Sequence, residues 1–293
     1  MSAEILDVLR DGTVADVKYL LVLLQKNGHD VNFDFGGIPL LHFTTLNPNL
    51  EVARLFISKG ANVNAKKRDD GYTALHFAAE ADNIELAKIL ISAGADINVK
   101  ENIGLTPLNL ATVKGKPGIA KFLVSEGANV NAEDNDDFTP LHRAAKKGYS
   151  ELVILLVSKG ANVNAKNNCA LTPLHTATIG SELEIIKFLV SAGSDVNAKG
   201  KDDWTPLHWA AQDKSTEVAE ALVSCGANIN AQTSKGSTPL DIAKQGNTAA
   251  AQYLSSAGAD HRMKKWDAMG DYIRNSDDPL AVMARNILDK NRS

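Results

Sequence analysis

The sequence predicts an all-α solenoid of about eight repeats, joined by short β-hairpin loops and altered at both ends. Three observations predict it. The tetrapeptide Thr-Pro-Leu-His stands at 139–142, 172–175 and 205–208, with near copies at 73–76, 106–109 and 238–241 and an eroded copy, Pro-Leu-Leu-His, at 39–42. Its leucines, Leu41, Leu75, Leu108, Leu141, Leu174, Leu207 and Leu240, lie 34 residues apart once and 33 apart five times. The hexapeptide Gly-Ala-Asn-Val-Asn-Ala recurs in the same phase from Gly60, Gly127 and Gly160, with variants from Gly94, Gly193 and Gly226, each glycine 19 residues after its leucine. A fixed period in this range marks units that bury their faces only against their neighbours.

The unit from Asp137 to Gly160 shows how the letters make the elements. Thr139 is a helix N-cap, and Pro140 occupies the first turn, where its missing N–H costs nothing. A short helix runs to about Lys147, and Gly148 breaks it. A second helix, Glu151 to Ser158, carries Leu152, Val153, Leu155, Leu156 and Val157, an apolar surface meant for burial on both flanks. Gly160 ends it in the left-handed position after the cap. Asn162-Val163-Asn164 then leads extended chain to a turn.

The ends depart from this unit. Gly12 to Gly28 spans 16 residues where Gly148 to Gly160 spans 12, which predicts a second helix about one turn longer in the first unit. That unit lacks its hairpin. In the last unit Thr248, Ala249, Ala250, Ala251 and Gln252 replace bulky aliphatics, the small and polar outer helix that a capping repeat needs.

The 33-residue period with Thr-Pro-Leu-His-x-Ala resembles the ankyrin-repeat family over roughly Ala3 to His261. We expect an ankyrin-repeat domain over 1–261, in units of about 1–36, 37–69, 70–102, 103–135, 136–168, 169–201, 202–234 and 235–261, and a helical tail over 262–293. In the tail Met263, Trp266, Met269 and Ile273 stand at helical spacing, Asp277-Asp278-Pro279 reads as a helix start, and Leu280, Met283, Ile287 and Leu288 follow. The expectation is two amphipathic helices folded over the last repeat, with a partner-docking element as the alternative.

Composition narrows the function. The net charge of -4 argues against phosphate-backbone recognition, so nucleic acid is not expected as a partner. Cys169 and Cys225 form no ligand or disulfide pattern, and no apolar stretch is long enough to span a bilayer. We therefore expect a cytoplasmic protein (host cytoplasm, were it an effector), monomeric by itself, that contacts no membrane. No phosphate-binding loop, nucleophile elbow or zinc-protease motif occurs, so neither an enzyme nor a cofactor is expected. His42, His76, His142, His175 and His208 share one repeat position. The resemblance implies that each is hydrogen-bonded within its repeat's turn, and successive repeats place them too far apart to share one metal. The acids Asp69, Asp70, Asp134, Asp136, Asp137, Asp202 and Asp203 are read as solvated hairpin tips.

The function implied by the resemblance is protein binding, on hairpin tips and on the concave face of the first helices. The residue before the motif threonine includes Tyr72, Phe138 and Trp204; the residue after the motif histidine includes Phe77, Arg143 and Trp209. Lys146, Lys147 and Asp213 lie further along the same helices. Exposed aromatics with arginine have the composition of binding hot spots. We therefore expect Tyr72, Phe77, Phe138, Arg143, Lys146, Lys147, Trp204, Trp209 and Asp213 to bind a partner protein, as a scaffold, adaptor or inhibitor would. A nucleotide- or small-ligand-binding stack and a bacterial or viral host-directed effector are the alternatives.

Overall fold

A computed structural model describes residues 2–47, 49–213, 216–246 and 248–259. The tail expected over 262–293 lies outside the described residues. The chain divides into two compact units, 1–168 and 169–293.

The first unit opens with helices α1 (Ser2–Asp11) and α2 (Val14–Lys26). At 13 residues, α2 is longer than the nine-residue second helices that follow, as the wider glycine spacing predicts. Contrary to the expectation that the first unit lacks its hairpin, a hairpin of β1 (Asp34–Phe35) and β2 (Ile38–Pro39) comes next, antiparallel, with Asp34 opposite Pro39 and Phe35 opposite Ile38. Pro39 stands at the threonine position, so no hydroxyl caps the following segment, and Leu40–Thr45 forms a 3-10 turn before α3 (Leu50–Ser58). Three helix pairs complete the unit: α4 (Ala74–Glu80) with α5 (Ile84–Ser92), α6 (Pro107–Val113) with α7 (Pro117–Ser125), and α8 (Pro140–Lys146) with α9 (Ser150–Ser158).

The second unit holds α10 (Pro173–Ile179) with α11 (Leu183–Ser191), α12 (Pro206–Gln212) with α13 (Thr216–Ser224), and α14 (Pro239–Ala243) with α15 (Thr248–Ser256). A 3-10 turn over Lys201–Asp203 precedes α12. Burial follows the pattern of the letters. In α4 the motif Leu75 is fully buried with Ala78 and Ala79, and α5 buries Leu86, Ala87, Ile89 and Leu90. α15 buries Ala250, Ala251 and Leu254 and leaves Gln252, Ser255 and Ser256 exposed, the polar outer face predicted for a cap.

The hairpin loops differ from one another. Among the described residues only β1 and β2 form a ladder. Later tips are closed by one backbone bond across the loop: Glu101 N–H to Leu105 C=O, Asp134 to Phe138, Gly200 to Trp204 and Thr233 to Ser237. The second marker explains itself here. Asn64 donates Nδ2–H to the Gly94 carbonyl at 3.1 Å and accepts the Asp96 N–H at 2.7 Å; Asn131 treats Gly160 and Asn162 alike, at 3.0 and 2.8 Å. Each such asparagine ties one repeat to the next. Asp82 adds another tie, its carboxylate accepting the Ile119 N–H in the first turn of α7 at 3.1 Å.

Gly104 shows how tightly adjacent tips approach. It sits at φ +81°, and a Cβ there would lie 2.4 Å from Asn135 Oδ1 and 2.8 Å from Asn135 N. Gly127, at φ +89°, has open space around the same position. Gly127→Ala is expected to cost about 1 kcal/mol, the left-handed penalty alone, and Gly104→Ala about 2 kcal/mol or more, in urea unfolding. Equal losses would contradict this reading of the tip.

Candidate functional site

The threonine and histidine of each repeat's motif form a reciprocal cap, the histidine standing three residues into the helix where glutamate or glutamine serves in a capping box. Thr73 N–H donates to His76 Nδ1 at 3.2 Å, and the same bond recurs from Thr139 to His142 at 3.2 Å, Thr172 to His175 at 3.1 Å and Thr205 to His208 at 3.1 Å. A backbone N–H can only donate, so Nδ1 is the acceptor and Nε2 carries the proton. That proton reaches into the next repeat: His76 Nε2 meets Leu105 C=O at 3.0 Å, His175 meets Trp204 C=O at 3.1 Å, and His208 meets Ser237 C=O at 3.1 Å. His42 makes the outward bond, to Tyr72 C=O at 2.9 Å, but its buried Nδ1 has no partner, because Pro39 has no N–H to offer. Burial pushes the His76 imidazole down to about 4, and it lowers His42 and His208 as well. The sequence reading placed these bonds inside each repeat's own turn. Half of each pair lies there, and half ties the repeat to its successor.

The residue each outward bond holds is the one before the next motif's threonine. The histidine therefore fixes the backbone that carries Tyr72 and Trp204. Their side chains pair with the residue after the following histidine. Tyr72 and Phe77 lie with ring centroids 5.3 Å apart at 64°, and Trp204 and Trp209 5.0 Å apart at 55°. Phe77 also stands edge-on to His42 at 5.4 Å. Phe138 and Arg143 make the corresponding pair as a cation over a ring, 4.7 Å from guanidinium carbon to centroid. All six side chains are half-buried.

Arg143 is less available than the sequence reading expects, because its Nη2 is bound to the carboxylate of Asp134. Asp134 itself corrects an expectation. Read as a solvated tip, it is instead buried, accepting the N–H groups of Asp136 at 2.9 Å and Phe138 at 3.0 Å as well as the arginine. Glu101 does the same one repeat earlier, accepting from Ile103 at 3.0 Å and Leu105 at 2.8 Å. An inward acceptor at this register closes the loop. The position after the histidine is also less open than expected: Phe43, Leu110 and Thr176 are buried.

The remaining polar candidates differ. Lys146 and Lys147 are exposed and carry no ion pair among the described residues, whereas Lys114 is paired with Glu80 at 2.5 Å. That glutamate raises the Lys114 ammonium, and burial, reinforced by Glu80, raises the Tyr72 phenol. Asp213 is half-buried and accepts from Ser181 Oγ at 2.6 Å. Sequence reasoning missed Leu46 and Ile179, exposed at 61% and 38%. The signal was present, since both stand at the repeat position of Lys146. Among the described residues no group of three or more His, Cys, Asp or Glu residues is placed to hold a metal, and no helix is long and apolar enough to cross a membrane.

Paired helices on a 33-residue period, joined by tips and bridged by motif histidines, define a repeat stack. A family model described as ankyrin repeats matches residues 8–101, 95–167 and 174–265, and the chain belongs to that family. It is similar to the crystal structure of the human ASB11 ankyrin repeat domain, at 28% identity and a TM-score of 0.65, covering 74% of this chain and 96% of that one. No curated protein matches. Ankyrin repeats generally bind proteins, and the family is generally non-catalytic.

Proposed function

We propose that the chain is a non-catalytic binding module (a scaffold, adaptor or inhibitor) that takes a partner protein on the face formed by its first helices and hairpin tips. One observation carries the reading: aromatic side chains pair at the same repeat position in both units, half-exposed and held on histidine-anchored backbone. Fixed aromatic surface supplies contact area with little rotamer freedom left to lose. In the first unit the binding residues are Tyr72, Phe77, Phe138, Arg143, Lys146 and Lys147; in the second they are Trp204, Trp209 and Asp213. Lys146 and Lys147, which carry no ion pair among the described residues, favour an acidic stretch on the partner and would set its approach and register.

Affinity capture from the native cell, quantified by mass spectrometry, tests this reading with variants chosen by burial. Phe77→Ala, Trp209→Ala and the pair Lys146→Glu, Lys147→Glu change side chains that close no loop. Arg143→Ala is the poorer choice, because it strands the buried Asp134 carboxylate and confounds binding with stability. We expect a specific protein retained by the wild type to fall at least about tenfold on Phe77→Ala or Trp209→Ala, a loss of about 1.4 kcal/mol, with the circular dichroism spectrum unchanged. The same proteins held equally by all variants would overturn the surface. A large thermal shift with nucleotides would favour the small-ligand alternative, since a ligand at 100 times its Kd adds about 2.7 kcal/mol.

A further inference from the structure

Neighbouring first helices meet by a fixed rule in the first compact unit. The 3-10 turn at Leu40–Thr45, α4, α6 and α8 pack side by side in that order. Lys114, five residues after Asn109 at the motif position, reaches back to Glu80, four residues after His76, and the two pair at 2.5 Å. One repeat to either side, the same register leaves the row unanswered. Leu46 stands four residues after His42 and is exposed, because the residue that would meet it is Ala81, too short to cover it. Lys147 stands five residues after His142, and the residue that would meet it is Val113, which offers no charge. Lys147, Lys146 beside it and Lys116 carry no ion pair among the described residues. The acids nearby are engaged: Asp82 turns its carboxylate to the Ile119 N–H at 3.1 Å, and Asp134 is bound by Arg143. Asp136 and Asp137 belong to the tip, beyond the far end of α8, whose seven residues span about 10 Å.

We propose that this row takes an extended segment of the partner protein, with an apolar side chain at one end and an acidic pair at the other; the proposal rests on the binding reading above and deepens it. The apolar residue seats on Leu46 and on the half-buried Phe77, whose ring stands edge-on to His42, one turn before Leu46. The backbone there is fixed, since Asn47 donates Nδ2–H to the carbonyls of Leu9 and Gly12, both at 3.1 Å. The acidic pair lies over Lys146 and Lys147. The loop that carries Lys116 adjoins them, because Tyr149 Oη lies 2.9 Å from where a Cβ on Gly115 would stand. Charge complementarity chooses the acids: three cations share one end without a counter-charge, and an anionic segment relieves their repulsion. Three helix spacings of about 8–10 Å separate Leu46 from Lys146. An extended chain at about 3.3 Å per residue spans that in about seven to nine residues. The half-exposed Glu80–Lys114 bridge stands midway. An extended chain crosses it with two or three residues, whereas a helix about 10–12 Å thick would cover it and strip its water.

Selection of a displayed library of random peptides, each about 24 residues long, on the full chain tests the proposal. Sequences enriched on the wild type should share an apolar residue and an acidic pair about seven to nine residues apart. Selection on the double variant Lys146→Glu, Lys147→Glu should put lysine or arginine where the acids stood. For a peptide found on the wild type, that double variant should raise Kd at least about tenfold and remove most of its salt dependence between about 50 and 500 mM. Leu46→Ser should raise Kd about fivefold and leave the salt dependence as it was. The circular dichroism spectrum should not change, because all three side chains are exposed. No enriched sequence, enrichment without acids, or acids at the helical spacing of about 16–20 residues would overturn the proposal. So would peptides that are lost on Phe77→Ala yet indifferent to Leu46, Lys146 and Lys147, a result that leaves the aromatic surface standing. Peptides indifferent to Phe77 and Trp209 as well would count against both.

Discussion

His76→Ala is expected to lower the unfolding free energy by about 3 kcal/mol, and His76→Asn by only about 1 kcal/mol. The alanine removes a fully buried ring and leaves the Thr73 N–H and the Leu105 carbonyl short of one hydrogen bond each. Unsatisfied buried groups account for most of that loss, and the cavity for the rest. The milder effect of asparagine rests on the protein's own solution at the next repeat. There Asn109 accepts from Thr106 Oγ1 at 2.5 Å and donates to the Ala132 and Phe138 carbonyls at 3.0 and 3.4 Å, so it caps and bridges as histidine does. Urea unfolding followed by circular dichroism compares the two variants. Equal losses would mean that the ring's volume, and not its two bonds, is what the position needs.

Acid should unfold the protein in a window set by these histidines. In the unfolded chain histidine titrates near 6.5, whereas burial holds folded His76 at about 4. The folded value is the lower one, so the unfolded state binds more protons between those limits. The stabilisation is complete above pH 6.5 and is lost as pH falls toward 4. At pH 5, His76 alone accounts for about 2 kcal/mol of lost stability relative to pH 7.5. His42 and His208 are lowered too and act in the same direction. The cause is geometric as well as dielectric, because a proton on Nδ1 would face the threonine N–H that now donates to it. The urea midpoint should fall between pH 7 and 5, and His76→Asn should flatten that fall. A midpoint constant over this range would contradict the assignment of Nδ1 as acceptor.

Much of the fold was legible, because a repeat states its rules several times. The helix starts follow from the threonine and proline of the motif, and the helix ends from the glycine of the second marker. The longer α2 follows from four extra residues between glycines. What stayed hidden are bonds between repeats, since a sequence read one period at a time shows no neighbour. The second bond of each histidine is the main example, although the replacements offered a clue: Asn109 and Asp241 retain an acceptor three residues after the threonine. Asp134 was misread for a related reason. An acid in a tip looks solvated until its register is aligned with Glu101 and Thr233, acceptors that also turn inward. The candidate surface was legible as a set of positions, and its pairing of Tyr72 with Phe77 and Trp204 with Trp209 was not, because side chains five residues apart meet only when the chain bends from tip into helix.

Hydrogen–deuterium exchange of the chain with and without its captured partner tests the binding account most directly. The account predicts added protection over 72–80, 138–147 or 204–213, the tips and first helices that carry the aromatic pairs, with little change in α5, α9, α11 and α13. Protection confined to those second helices, with the tips and first helices unaltered, would contradict it.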